Sequence, residues 1–125
     1  MSPYVDLGEQ LVTEIFVRDA KRSTEFYCGL GFELLRDDGS FVALAWEGHR
    51  LFLDEHKDIP SHTGLPQANI RVMVPNVDDY WELAEEMGAP VLNPIADRTY
   101  GLRDFTIADP DGFGVRFGTR LWDHT

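Results

Sequence analysis

The stretches VTEIFVRDAKRSTEFYCGLGFELL (residues 12–35) and NIRVMVPNVDDYWELAEEMGAPVL (residues 69–92) decide the fold, because they are two copies of one pattern. Laid over each other without a gap at an offset of 57, they match Val17 with Val74, Asp19 with Asn76, Glu25 with Glu82 and Gly31 with Gly88. Further along the offset becomes 64, so that Phe41 falls on Phe105, Gly48 on Gly112 and Leu51 on Val115. Internal repetition at such a period means two similar structural modules, the second with a longer middle loop.

Each copy reads in the same order. TEIFV and IRVMV alternate with a period of two and carry β-branched residues on one face, as a half-buried strand does. Asp19 and Asn76 stand where a helix N-cap belongs, since a short side-chain acceptor there satisfies first-turn N–H groups that lack a partner. Apolar residues then recur at helical spacing (Tyr80, Trp81, Ala84, Met87 in the second copy), and Gly31 and Gly88 follow as C-caps. Three shorter strands complete each module, at about 33–36, 41–46 and 50–54, then 91–94, 103–108 and 114–118. Glu47-Gly48-His49 and Asp109-Pro110-Asp111-Gly112 form the final hairpin turns. The expected fold is α+β, two βαβββ modules spanning 10–54 and 69–118, with a Pro- and Gly-containing connector at 55–68 and terminal tails at 1–9 and 119–125.

Composition narrows the function. The chain has 125 residues, 22 acidic against 11 basic, for a formal charge of −11. So negative a protein repels nucleic-acid phosphates and anionic lipid. Its 43% hydrophobic content suits a packed domain and not a disordered acidic tail. The sequence shows no apolar run of membrane-spanning length, its first residues do not resemble an export signal, and Cys28 is the one cysteine, so a cytoplasmic protein without a disulfide is expected.

FVRDAKRSTEFYCGLGFELL, FVALAWEGHRLFL, RVMVPNVDDYWELAEEMG and above all YGLRDFTIADPDGFGVRF resemble the vicinal oxygen chelate superfamily, which includes glyoxalase I, extradiol dioxygenases, fosfomycin-resistance enzymes and bleomycin-resistance proteins. The resemblance covers nearly the whole chain and implies one glyoxalase-like domain, its sheets curled into a half-open barrel around a ligand cavity, assembled as a homodimer. In that superfamily a divalent metal is held by His or Glu side chains from equivalent strands. The matching positions here are Val12, Asn69, Phe52 and Arg116, none of them a usual ligand. His49, His56, His62 and His124 fall in turns, connector and tail and do not rebuild the set. No metal and no other cofactor is therefore expected, and the sequence stands closest to the bleomycin-resistance branch, which lacks the metal ligands.

Alternation says what lines the cavity instead. With Val12 and Asn69 inward, Glu14, Phe16, Arg71 and Met73 share their faces, and Phe52 and Arg116 turn inward too. Glu14 and Arg71 are equivalent positions with two readings, an internal ion pair or, for the arginines, anchors of an anionic ligand group. By resemblance, Phe41 and Tyr100 occupy drug-groove positions of the resistance branch, although Phe41 fits a strand core equally well. The functional expectation is a metal-independent protein that sequesters a small aromatic or amphipathic molecule such as an antibiotic. The ligand contacts would be Glu14, Phe16, Phe41, Phe52, Asn69, Arg71, Met73, Tyr100 and Arg116. The competing expectation is an enzyme of the same superfamily, a lyase, isomerase or dioxygenase with an atypical metal site or with Glu14 as a base.

Overall fold

A computed structural model describes residues 4–60 and 62–122. The chain divides into two compact units that meet between residues 60 and 61, and each carries one copy of the repeat. The first holds α1 (Leu7–Gln10), β1 (Thr13–Val17), α2 (Ala20–Leu30), β2 (Glu33–Asp37), β3 (Phe41–Trp46) and β4 (His49–Glu55). Its sheet runs β1-β4-β3-β2, with β1 parallel to β4 and the other pairs antiparallel. The second holds β5 (Asn69–Met73), α3 (Val77–Met87), β6 (Val91–Asp97), β7 (Leu102–Ala108) and β8 (Gly114–Arg120), in the order β5-β8-β7-β6, with β5 parallel to β8. The parallel pair in each unit follows from the helical crossover, since only the tight-turn connections return the chain antiparallel. Each four-stranded sheet is open. Among the described residues no helix is long and apolar enough to cross a membrane.

The period-two pattern sorts each sheet into a packed and an open face. In the first unit Ile15, Val17, Val42, Leu44, Leu51 and Leu53 are buried together with Tyr27 and Leu30 of α2. In the second, Val72, Phe105, Ile107, Val115 and Phe117 are buried, and α3 lays Tyr80 on Phe117 at 5.0 Å and Trp81 on Phe105 at 5.1 Å between ring centroids. These aromatic contacts anchor the helix to the sheet.

Three expectations need correction. The stretch 1–9 is not all tail: residues 7–10 form a helical turn whose Gly8 lies so close to the Gly48 carbonyl that a Cβ would overlap its oxygen. Strand β8 continues to Arg120, paired with Leu102, so residues 119 and 120 belong to the sheet. Strand β6 continues past Pro94 to Asp97. It is an edge strand with register shifts, where a proline removes no ladder bond that matters. His124 lies outside the described residues.

The two helices begin alike but not as the sequence suggests. Asp19 accepts from Arg22 N at 3.1 Å, as a cap should, whereas Asn76 makes no such bond. The first helical N–H of each is instead met from the last strand of its own unit. Ala20 N donates to Glu55 Oε2 at 2.9 Å, and Val77 N to Thr119 Oγ1 at 2.8 Å. Glu55 and Thr119 are related by the offset of 64, so the repeat keeps the device and changes its chemistry. The Thr119 hydroxyl also donates to Val74 O at 2.8 Å, tying β5, β8 and α3 together. Replacing Thr119 by Val is expected to cost about 1–2 kcal/mol in a denaturant melt, the loss of a cap and of a part-buried hydrogen bond.

Candidate functional site

The hairpin of β7 and β8 builds the site. Its turn, Asp109 to Phe113, is closed by Asp109 Oδ1, which accepts from Asp111 N and Phe113 N, both at 2.9 Å. That turn fixes the register: Ala108 faces Gly114, Thr106 faces Arg116 and Asp104 faces Gly118. Directly opposed residues share a face, so Asp104, Thr106 and Arg116 project from the open side of the sheet while Phe105, Ile107, Val115 and Phe117 project toward α3. On the neighbouring strand Arg71 is paired in register with Arg116, and Asn69 and Met73 lie on the same side.

Asp104 is the centre of this face and only 1% exposed. Arg98 Nε donates to its Oδ1 at 2.8 Å. Its Oδ2 accepts from Arg116 Nε at 3.0 Å, Arg116 Nη2 at 2.6 Å and the Tyr100 hydroxyl at 2.7 Å. Arg116 Nη2 also donates to the Tyr100 oxygen at 3.1 Å, and Arg98 Nη2 to the backbone carbonyls of Pro94 and Asp104 at 2.5 and 3.2 Å. Burial pushes the Asp104 carboxyl upward, but the hydrogen bonds from Arg98, Arg116 and Tyr100 outweigh it and hold the group below the usual carboxylate range. Tyr100 is displaced upward, by burial and by its bond to Asp104, and stays a neutral donor. The arrangement is a paired, charge-assisted network that holds Arg116 in one pose. Beside it lies a recess of about 290 Å³, its wall formed by Leu65, Asn69, Asn93, Tyr100, Thr106 and Arg116 among others.

The candidate residues of the first unit sit on its own open face. Phe41 and Phe52 come together at 5.2 Å between ring centroids, both half-buried. Glu14 and Phe16 project from the same side of β1, opposite Phe52 and Asp54 of β4, with Phe16 57% exposed and edge-on to His56 at 4.8 Å. Glu14 and Arg71 are both exposed, each on the open face of its own unit. Arg98 and Asp104 belong to this network and were missed by the alternation argument. Asp104 lies in the stretch YGLRDFTIADPDGFGVRF, whose DPDG turn carries the register that sets it beside Arg116.

The residues present do not fit the metal that the fold family implies. Among the described residues no three His, Cys, Asp or Glu side chains stand close enough to share an ion. Arg116, which the sequence resemblance matches with a metal ligand, is a guanidinium bound to Asp104, and a fixed cation there repels a second one. The acidic and histidine residues around the connector are otherwise engaged. His56 pairs with Asp54 at 3.2 Å, Glu55 caps α2, and His62 Nε2 bonds the Leu65 carbonyl at 2.8 Å. Burial pushes the Cys28 thiol up, away from a reactive thiolate.

Comparison with known proteins agrees with this architecture. The family model described as "Glyoxalase/Bleomycin resistance protein/Dioxygenase superfamily" matches residues 10–117. Among solved structures, a protein of unknown function from Agrobacterium tumefaciens is 26% identical with a TM-score of 0.76, over 91% of this chain and 96% of that one. A lactoylglutathione lyase from the same organism is 22% identical with a TM-score of 0.68, over 87% and 91%. A genomically encoded fosfomycin resistance protein from Listeria monocytogenes is 17% identical with a TM-score of 0.74, over 90% and 93%. No curated protein matches the sequence significantly.

Proposed function

Because the chain belongs to the Glyoxalase/Bleomycin resistance protein/Dioxygenase superfamily, we propose that it is the binding variant of that fold, a homodimer that sequesters a small planar or amphipathic molecule without a metal. The observation that carries the proposal is the Arg116–Asp104 pair, with Nη2 to Oδ2 at 2.6 Å, at a position that the sequence resemblance matches with a metal ligand. A catalytic metal centre needs open coordination positions among deprotonated donors, and here a guanidinium fills that place. Binding needs less: a preformed recess, some apolar surface and a few convergent polar groups. On the second unit Tyr100 offers an aromatic face, Met73 apolar surface, and Asn69, Arg71 and Arg116 donors. On the first, Phe16, Phe41 and Phe52 offer apolar surface and Glu14 an acceptor.

The exposure of Phe16 at 57% on the open face of the first unit, and of Met73 at 39% on that of the second, supports a second copy as partner, since exposed apolar side chains gain by being covered. Elemental analysis of protein purified without chelator, on a sample whose mass is measured by sedimentation, tests both parts. The expected result is substoichiometric Zn, Mn, Fe and Ni in a species of twice the chain mass. One equivalent of metal per chain would instead overturn the metal-independent reading.

A further inference from the structure

Resting on that binding reading, we propose that the recess of the second unit selects the anionic end of its ligand, a carboxylate carried on a planar aromatic group, and discriminates against cations. Arg116 lines the recess, Arg71 is paired with it in register on the neighbouring strand, and Arg98 is spent on Asp104 and on the carbonyls of Pro94 and Asp104. Asp104 is shielded from a ligand: it is only 1% exposed, its Oδ1 accepts from Arg98, and its Oδ2 accepts from Arg116 and Tyr100.

Arg71 stands beside Arg116 in the parallel register and makes no ion pair among the described residues. Like charges at paired positions of adjacent strands repel, and an anion bound between them removes that cost. Arg116 spends Nε and Nη2 on Asp104 and Tyr100, while its Nη1 makes no hydrogen bond among the described residues. Two N–H donors of a rigid, already oriented fork are thus left over at the wall of the recess. Asn69 and Asn93 add amide donors to that wall, and Tyr100, a residue 57% exposed whose ring has the Arg116 guanidinium over it at 5.5 Å, adds aromatic surface. A ligand ammonium would meet guanidiniums and a carboxylate that is buried and already paired with two arginines. The formal charge of −11 does not reverse this preference, because charges farther away than about 8 Å are largely screened at physiological salt.

The test titrates the full-length protein with 2-naphthoate, 2-naphthylmethanol and 2-naphthylmethylamine, which share a ring and differ in charge, following side-chain amide signals by heteronuclear NMR. Naphthoate is expected to bind at least about tenfold more tightly than the amine and to shift the Asn69 and Asn93 amides at saturation. Arg71→Gln, at an exposed position where folding is not at stake, is expected to shrink that ratio several-fold. Binding of the amine as tightly as the carboxylate, absence of binding by all three, or binding that leaves both amides unmoved would each overturn the inference. Failure of the underlying binding reading has a different signature, stoichiometric metal and chelator-sensitive binding.

Discussion

An Asp104→Asn variant is expected to lose about 3 kcal/mol of folding stability at neutral pH, seen as a melting temperature lower by roughly 10 °C. The wild-type carboxylate is buried and accepts from Arg98, Arg116 and Tyr100. An amide of the same shape keeps one acceptor oxygen but turns an NH2 group toward donors, so two guanidiniums lose their counter-charge and at least one hydrogen bond becomes a clash. The pH dependence identifies the mechanism. The folded Asp104 pKa is lowered, so its contribution is complete above the ordinary carboxylate range and is lost as pH falls through the lower folded value. The difference between wild type and variant should therefore be full at pH 7 and narrow progressively below about pH 4. Asp78→Asn is the control. Asp78 also pairs with an arginine, Arg103 at 2.9 Å, but 55% of its side chain is exposed, and exposed pairs contribute little. A variant as stable as wild type at neutral pH would show that the network is decorative.

Gly112→Ala is expected to destabilise by about 2–3 kcal/mol, more than its one added methyl suggests. Two effects coincide. Gly112 has φ +91°, where an L side chain is strained, and its Cβ would overlap the His62 carbonyl oxygen and approach His62 C and Cβ at 3.1 Å. The obstacle is backbone, which has to move. Gly39→Ala separates the two: φ is +87° there too, but nothing lies within 4 Å of the added carbon, so only the conformational cost of about 1 kcal/mol applies. The displaced segment leads from His62 to Leu65 and Asn69 in the recess wall, so Gly112→Ala should weaken ligand binding as well, and Gly39→Ala should not. Equal melting temperatures for the two variants would contradict the packing argument.

The repeat made the fold legible. Matching residues at offsets of 57 and 64 placed both helices, and period-two alternation sorted Ile15, Val17, Val72 and Val115 from Glu14, Phe16, Arg71 and Arg116 onto opposite faces. What remained hidden depended on partners distant in sequence. Asn76 has the chemistry of a cap, yet the first N–H of α3 is met by Thr119, brought there by the pairing of β5 with β8. Arg98 was out of reach because the strand was expected to end at residue 94, whereas β6 runs to Asp97 and carries the chain on to Arg98 beside Asp104. Asp104 was nearer. Counting back from the Asp109–Phe113 turn pairs Thr106 with Arg116 and sets Asp104 two residues away on the same face, so that an acid and an arginine meet at the centre of the site. Its burial and its triple engagement follow from side-chain packing, which alternation does not encode.

Binding without a metal is put to the test by calorimetric titration of the tightest ligand from a panel of planar aromatics, before and after exhaustive dialysis against EDTA. The same stoichiometry and an unchanged Kd are expected. Loss of binding after chelation, restored by adding back Zn or Mn, would contradict it.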